Sequence, residues 1–537
     1  MFVESGAQQN ADPLVRTRTA LEVGMPGSPG GRVGARELLH RVLDGPGRRS
    51  WDTEPLAVAE PGTAYARELA AARERSGCDE AVITGEGLLR GRRVAYVVSE
   101  FGFLAGSIGL ATAERIVAAV ERATAEGLPL VAAPASGGTR MQEGTVAFAQ
   151  MARITAAVTR HRAAGLPYLV HLRHPTTGGV FASWGSLGHL TAAEPGALIG
   201  FLGPRVYEGL YGEPFPEGVQ VAENLFAKGL VDAVVGIDEL GGIAAEALDV
   251  LCGSAAHDGR SVISPRLAGP EPDRRPRSAP AAEGTAWESI ERSRRDGRPG
   301  VRELLRYGAD RVTPMSGTGQ GEAGPGLLLA LARFGGTPCV VVGQDRRSQR
   351  EGRPLGPAGL RVARRGMGLA AELGLPLVTV VDTPGAVLSA EAEEGGLAGE
   401  IARCLADLIT VSAPTVCLLM GEGTGGAALA LLPADRVLAA RHAWLAPLPP
   451  EGASVIVHRT PARAAELAEA QGVRSADLLR NGLVDELVDE RPDAADEPEA
   501  FCRRAAGAVE RALAELAGLP SADRLAARDH RYRTLGR

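Results

Sequence analysis

Short apolar runs alternate with amphipathic helical segments through most of the chain. Apolar side chains recur every three or four residues along one segment, at Phe148, Met151, Ile154 and Val158. This spacing predicts a helix with one buried face, and the apolar run 166–170 that follows is typical of a buried strand. Repetition of strand, glycine-rich turn and helix predicts an α/β fold whose turns gather at one edge of the strands. By the general rule for such sheets, ligands bind at that edge.

The pattern of apolar runs and glycine turns occurs twice. Three equivalent pairs of residues are each 247 positions apart: Leu128 and Leu375, Gly138 and Gly385, and Gly179 and Gly426. A later pair, Leu230 and Leu483, is 253 positions apart, which one longer loop explains. The constant spacing predicts two domains with the same fold, which share one task.

Segments without apolar periodicity separate these domains. We expect a disordered tail over 1–30, a first domain over 31–256, a linker over 257–284, a second domain over 285–520 and a C-terminal tail over 521–537. The linker is rich in proline, arginine, serine and alanine, and the C-terminal tail is polar and rich in arginine. Two domains of this size suit a chain of 537 residues.

Composition narrows the class of protein. The formal net charge of −7 argues against broad nucleic-acid binding, and the six cysteines form no CxxC pair that could build a zinc ribbon or a redox dithiol. No secretory signal and no long apolar span is evident, so we expect a cytoplasmic protein that does not enter a membrane.

Several motifs suggest other chemistry but lack the partners it needs. Residues 421–426 satisfy GxGxxG, yet no acidic residue ends a second strand at the right distance, and the equivalent turn at 174–179 lacks the first two glycines. Residues 382–385 resemble the DxxG loop of GTPases, but the sole lysine, Lys228, follows no glycine loop.

The sequence also gives little support for a metal site or for a covalent hydrolase. His171 and His174 have no third ligand nearby, so we expect no metal site. Ser136 lacks a GxSxG turn and an evident histidine partner, although a covalent hydrolase stays open.

The feature that remains is a pair of glycine turns in each half. Glycine lets the backbone approach a ligand closely, and the first amides of a helix are unpaired, so converging amides form an oxyanion hole. The four candidate donors are Gly178, Gly179, Gly425 and Gly426, beside Gly138 and Gly385. The alternative is that these glycines only permit tight turns and close packing.

Longer motifs carry a resemblance to a known family. In the first half, residues 136–144 (SGGTRMQEG), 175–180 and 194–201 resemble the β subunit of the bacterial acetyl-CoA carboxylase carboxyltransferase. In the second half, residues 382–386 and 421–430 (GEGTGGAALA) resemble its α subunit. The chain is therefore similar to both subunits fused, over about 31–490.

The resemblance implies two tandem crotonase-like domains built from β-β-α spiral repeats. It also implies transfer of a carboxyl group from carboxybiotin to the α-carbon of acetyl-CoA, giving malonyl-CoA for fatty acid or polyketide synthesis. Two oxyanions develop, an enolate and a biotin ureido anion, and the ureide takes the α-proton. Biotin arrives on a separate biotin carboxyl carrier protein, charged by a biotin carboxylase. In the family the site lies between the two kinds of domain across a subunit contact, so we expect a homodimer or a larger even assembly.

The resemblance also assigns residues to the two ligands. Those expected to bind acyl-CoA are Ser136, Gly137, Gly138, Arg140 and Arg205, with Gly178 and Gly179 as amide donors; those expected to bind biotin are Gly385, Gly425 and Gly426. The two arginines would hold the CoA phosphates, unless they are ordinary ion-pair residues. Glu143 and Glu422 are expected to anchor loops.

One departure from the family and two alternative functions remain. The β subunit usually carries a zinc ribbon of four cysteines, whereas residues 1–90 contain only Cys78. The acyl group is expected to be acetyl, although no residue distinguishes it from propionyl or a longer chain. An acyl-CoA decarboxylase of the same fold and a non-catalytic CoA-binding protein are the alternatives.

Overall fold

The computed structural model describes residues 32–45, 47–252 and 284–534. The predicted tail over 1–30, and all of the predicted linker except Gly284, lie outside the described residues.

The first half is built on a mixed sheet. Its strands are β1 (Arg49–Ser50), β2 (Val82–Leu89), β3 (Arg92–Ser99), β4 (Leu130–Ala133), β5 (Tyr168–Leu172), β7 (Leu190–Ala193) and β9 (Ala233–Val234), in that spatial order. The first three pair antiparallel, and β3 to β9 pair parallel. Two short strands, β6 (Thr176–Thr177) and β8 (Ile199–Gly200), form a separate parallel pair.

The second half repeats this arrangement. Its strands are β10 (Arg311–Met315), β11 (Leu327–Phe334), β12 (Thr337–Gln344), β13 (Leu377–Thr383), β14 (Thr415–Thr424), β15 (Arg436–Ala440) and β17 (Glu486–Val488), with β16 (Trp444–Ala446) pairing with β14. The first three are again antiparallel and the others parallel.

Helices connect the strands in both halves. In the first half they are α1 (Ala35–Val42), α2 (Ala64–Ser76), α3 (Leu110–Ala125), α4 (Gly144–Ala163), α5 (Pro204–Tyr211), α6 (Ala222–Ala227) and α7 (Ile237–Cys252). In the second half they are α8 (Ala286–Arg294), α9 (Val301–Gly308), α10 (Arg346–Arg350), α11 (Pro357–Leu373), α12 (Ala390–Glu394), α13 (Leu397–Thr410), α14 (Gly425–Leu429), α15 (Pro450–His458), α16 (Ala464–Ala470), α17 (Ser475–Arg480), α18 (Pro498–Ala517) and α19 (Ser521–Thr534).

The register of the strands confirms the repeat. Leu130 of β4 lies opposite Tyr168 of β5. In the second half, Leu377 of β13 lies opposite Thr415 of β14, and each of these residues is 247 positions after its equivalent in the first half. Each half also contains two antiparallel strands followed by a long helix, β2-β3-α3 and β11-β12-α11, with the short α10 between β12 and α11. The predicted α/β class, with two like domains in tandem, is therefore confirmed.

Apolar periodicity explains the elements around the site. All four apolar residues that predicted a helix face in 148–158 lie buried on α4, as expected for a helix packed on the sheet. Strand β13 is buried along its whole length, as is typical of a parallel strand covered on both faces.

The two halves pack directly against each other, because one hydrophobic core contains residues of both. At the start of α4, the hydroxyl of Thr145 donates to the carbonyl of Leu445 at 3.1 Å. Gly144 has φ of +60°, and a Cβ there would lie 2.5 Å from the carbonyl oxygen of Gln471. Only glycine fits so close a contact between the halves.

The C-terminal segment differs from the predicted tail. Residues from Ser521 form α19, and the side chains of Arg528 and Tyr532 are buried. Arg528 pairs with the buried carboxylate of Asp435, and Arg528 and Arg531 donate to backbone carbonyls, so the segment packs despite its polar sequence. None of the helices in the described part of the chain combines the length and the apolar character that crossing a membrane requires.

Candidate functional site

The two glycine turns of the first half lie against each other. One follows β4 and the other follows β6, and an isolated parallel bridge joins Ser136 to Thr176. A Cβ built on Gly138 would lie 3.6 Å from the Cα of Gly178 and 3.7 Å from the amide nitrogen of Gly179. Gly138 also has φ of +108°, which other residues rarely adopt. The close approach predicted for these turns is therefore present.

The second half places its turns in the same way. Gly385 follows β13 with φ of +129°, and Gly425 begins α14 after β14 with φ of +67°. A Cβ on Gly385 would lie 3.8 Å from the Cγ2 of Thr424. The sharp turns need glycine at both positions.

All four turns open into one cavity of about 680 Å³ between the two halves. Predicted site residues that line it are Gly137, Gly138, Arg140, Gly178, Gly179, Gly385, Gly425 and Gly426. Ser136 lies beneath its turn, where its buried hydroxyl accepts from the amide of Gly138 at 3.0 Å and donates to the carbonyl of Gly106 at 2.6 Å. Thr383 plays the same part in the second half, accepting from the amide of Gly385 at 3.1 Å.

Hydrogen bonds within the fold decide which amides can meet a ligand. Those of Gly137 and Gly178 donate to the carbonyls of Ala105 at 2.9 Å and Phe201 at 3.0 Å. No hydrogen bond in the described loops and turns engages the amide of Gly179, and Gly425 and Gly426 begin α14, where the first amides have no acceptor within the helix. The candidate donors thus narrow to Gly179 in the first half and to the Gly425–Gly426 pair in the second.

The prediction that Arg140 binds a CoA phosphate conflicts with its surroundings. Its side chain is fully buried, and its guanidinium donates to both carboxylate oxygens of Glu80, at 2.8 and 2.9 Å, and to the hydroxyl of Thr112 at 2.9 Å. The guanidinium is thus committed to a buried ion pair that braces the glycine turn. Arg205 lies in α5, and its side chain is outside the described residues.

Two glutamates hold loops beside the turns. Glu143 accepts from the amide of Leu110 at 2.6 Å and from the hydroxyl of Tyr65, which fixes the start of α3. Burial raises the pKa of Glu422, which accepts from the guanidinium of Arg294 at 3.1 Å. Both contacts fit the anchoring role expected of these glutamates.

A second buried ion pair supports the glycine turns of the second half. The carboxylate of Asp382, at the end of β13, accepts from Arg346 at 2.9 Å and from the amide of Glu422 at 3.1 Å. A Cβ on Gly421 would lie 2.5 Å from that carboxylate. Asp382 was visible in the sequence only as part of a GTPase-like motif, whereas its structural role is to join two strand ends.

Sequence reasoning missed the apolar wall of the cavity. It comes from helices α5 and α15 and from loops of both halves, and it includes Leu202, Val206, Leu210, Leu388, Ile456 and Val457. Glycines without side chains let helices α5 and α15 approach closely here. A Cβ on Gly209 would lie 2.7 Å from Val455, and one on Gly452 would lie 2.6 Å from Leu210. Since these residues are about 250 positions apart, no local pattern could have paired them.

The predicted histidine pair has other partners. The Nε2 atom of His171 lies 2.8 Å from the carbonyl of Val235, and the Nδ1 atom of His174 accepts from the amide of Leu198 at 3.0 Å. Across 32–45, 47–252 and 284–534, no cluster of histidine, cysteine, aspartate and glutamate could hold a metal ion.

Comparisons of the sequence with known proteins agree on one family. Residues 57–517 match the family described as "Carboxyl transferase domain". The chain is 60% identical over 506 residues to the "Probable biotin-dependent acyl-coenzyme A carboxylase beta3 subunit" of Mycobacterium tuberculosis. The aligned region covers 94% of this chain and 99% of the relative. It is 38% identical over 522 residues to the "Acetyl-coenzyme A carboxylase carboxyl transferase subunits beta/alpha" of Salinispora arenicola, at 94% and 91% coverage. Among solved structures, the β subunit of P. aeruginosa geranyl-CoA carboxylase is 20% identical with a TM-score of 0.34, at 91% and 88% coverage.

Proposed function

The chain belongs to the carboxyl transferase family, and we propose that it is the carboxyltransferase subunit of a biotin-dependent acyl-CoA carboxylase. Its reaction moves the carboxyl group of carboxybiotin to the α-carbon of acetyl-CoA and yields malonyl-CoA. Carboxybiotin arrives on a separate carrier protein, which a biotin carboxylase charges.

One observation carries this proposal: a single cavity is lined by free backbone amides from two like halves. Transfer breaks the N–C bond of carboxybiotin, leaving negative charge on the ureido oxygen. The thioester loses its α-proton to the ureido nitrogen, and the resulting enolate attacks the released CO2 to form the new C–C bond. Two oxyanions develop in turn, and amides held in place beforehand stabilise such charges without reorganisation.

We assign one oxyanion to each half. The Gly179 amide would hold the thioester oxygen, and the Gly425–Gly426 amides would hold the ureido oxygen of biotin. The apolar wall beside the first turns suits the uncharged pantetheine arm and acyl group.

Acetyl is our choice of acyl group, supported by the relative at 38% identity, whose name specifies acetyl-coenzyme A carboxylase. The name of the relative at 60% identity leaves the acyl group open. The test measures kcat/KM for malonyl-CoA and for methylmalonyl-CoA in the reverse reaction, since these are the forward products from acetyl-CoA and propionyl-CoA. A higher kcat/KM for methylmalonyl-CoA would overturn the choice of acetyl.

The reverse reaction also tests the function itself. Purified protein is incubated with malonyl-CoA and biocytin, and acetyl-CoA is measured with and without the biotin compound. We expect formation of acetyl-CoA that depends on biocytin. Equal decarboxylation without biocytin would instead identify an acyl-CoA decarboxylase, and binding of malonyl-CoA without turnover would identify a CoA-binding protein.

We also propose that the protein acts in the cytoplasm as a homodimer or a larger even assembly. The cavity itself lies between the two halves of one chain and not across the subunit contact that the family resemblance implies. Sedimentation analysis of the purified protein checks the assembly, and a monomer at assay concentration would contradict it.

A further inference from the structure

We propose that Glu393 of the second half is a positioning residue, which fixes Phe201 of the first half between the two sets of glycine turns. The inference rests on the proposed carboxyl transfer. It means that a carboxylate from one half sets the geometry of the amide site in the other.

Glu393 reaches across the boundary between the halves. It lies on α12, and its Oε1 accepts from the amide of Phe201 at 2.8 Å and from Nε2 of Gln220 at 2.7 Å. Its Oε2 lies 3.1 Å from the same Phe201 amide, and the amide of Leu202 lies 3.4 Å from Oε1. Residues 201, 202 and 220 all belong to the first half.

The carboxylate is buried among neutral donors, with only 8% of the residue exposed. No salt bridge within the described ranges involves it, and burial raises its pKa while the hydrogen bonds from Gln220, Phe201 and Leu202 oppose that rise. A buried carboxylate without a cation is costly unless hydrogen bonds satisfy it. These hydrogen bonds satisfy the carboxylate, and they fix the direction of the Phe201 amide, which an apolar side chain at this position would not do.

Phe201 contacts the glycine turns of both halves. Its carbonyl accepts from the amide of Gly178 at 3.0 Å, which orients the peptide that follows and hence the amide of Gly179. On the other side its ring packs on Gly426, where an added Cβ would lie 3.0 Å from the ring Cε2. Phe201 therefore connects the two candidate oxyanion sites.

This connection predicts an effect on turnover more than on binding. The α-carbon of the thioester and the carboxyl carbon must meet within one cavity, so the separation of the two amide sites matters most in the transition state. Misplacement of reacting groups by about 1 Å can cost about a hundredfold in rate.

The test compares Glu393→Gln with Glu394→Gln. Glutamine keeps the size of Glu393, but its amide group would put a second donor against the Phe201 amide. Glu394 is the matched control: it lies next to Glu393 and also bonds to the first half, through Lys228 at 2.7 Å and Asn224 at 3.1 Å, whereas the Phe201 amide bonds to Glu393.

We expect Glu393→Gln to lower kcat of the biocytin-dependent reaction by about tenfold or more with KM for malonyl-CoA changed by less than about threefold. Glu394→Gln should stay within about twofold of the wild type, since its ion pair is partly exposed. Equal kcat values for the two variants, or a loss confined to KM, would overturn the proposal.

Hydrogen exchange gives a second readout that does not need activity. The amide of Gly178 should exchange faster in Glu393→Gln than in Glu394→Gln, because its acceptor on Phe201 is no longer held in place. Unchanged exchange contradicts the positioning role. A wild-type protein without biocytin-dependent turnover contradicts the proposed function instead, while the exchange result still stands.

If Glu393→Gln does not fold, Gln220→Met provides the same test, because it removes one donor to Glu393 without changing α12. A smaller loss of kcat with the same faster exchange at Gly178 is expected. Wild-type values for both would overturn the proposal.

Discussion

At the scale of single residues, the paired glycines differ in how much space surrounds them. A Cβ on Gly179 would lie 3.2 Å from Cγ of the flexible Met151, whereas one on Gly426 would lie 3.0 Å from the Phe201 ring and 3.2 Å from two atoms of Ile401. Neither glycine has a positive φ, so alanine strains neither backbone. Substitution at 426 must therefore move the ring that joins the two sites.

These surroundings predict different kinetics for Gly179→Ala and Gly426→Ala. Under the assignment of one oxyanion to each half, Gly426→Ala should lower kcat/KM for biocytin by about tenfold or more, and Gly179→Ala should mainly lower kcat/KM for malonyl-CoA. Steady-state kinetics with each substrate varied in turn provide the measurement. Equal effects of both variants on both substrates would refute the division of ligands between the halves.

Sequence motifs located the glycine turns but not the role of each amide. The spacing of 247 residues relates Gly138 to Gly385 and Gly178 to Gly425, and all four glycines line one cavity. The Gly178 amide donates to the carbonyl of Phe201. The guanidinium of Arg140 pairs with the carboxylate of Glu80, which lies 60 positions earlier in the chain. Such partners depend on how the chain folds back, which local patterns do not encode.

At the scale of secondary-structure elements, α19 shows the limit of reading composition alone. An arginine-rich polar segment predicts a solvated tail, but Arg528 donates to both oxygens of Asp435, at 2.8 and 2.9 Å, and to the carbonyl of Val411 at 2.9 Å. Next to it, the amide of Ala434 donates to the hydroxyl of Tyr532 at 3.2 Å. These contacts tie the helix to the sheet of the second half.

Loss of the Arg528 guanidinium should destabilise the protein strongly. Arg528→Met leaves the carboxylate of Asp435 buried without its cation, and we expect the free energy of unfolding to fall by about 3 kcal/mol or more. Arg503→Met is the control: Arg503 is exposed and pairs with Glu499 within one helix, so we expect a change below about 0.5 kcal/mol. Urea denaturation of both variants provides the measurement, and equal midpoints would show that α19 contributes no more than a solvated tail.

At the scale of the whole molecule, α19 also joins the halves. The guanidinium of Arg533 donates to Glu114 at 2.9 Å and to Glu121 at 3.0 Å, both on α3 of the first half. Together with the shared core and the Glu393 contact, this ion pair holds the glycine turns of both halves at one cavity. The sequence predicted the two domains, but the side chains between them come from segments up to 419 positions apart.

The ion pair between the halves predicts a dependence of stability on pH. Burial alone would raise the pKa of Glu114, but hydrogen bonds and charge from Arg533 and Arg153 outweigh it and lower the pKa to about 2. A carboxyl group with a lowered pKa stabilises the fold fully at a pH above its pKa in the unfolded chain, near 4.5, and this contribution is lost as the pH falls towards 2.

In Arg533→Met the pKa of Glu114 should rise towards its ordinary value, although Arg153 still contacts it. The variant should therefore be less stable than the wild type at about pH 6, and the difference should shrink as the pH falls through about 4 to 3. Urea midpoints of both proteins across this range test the prediction, which a difference that stays constant with pH would contradict.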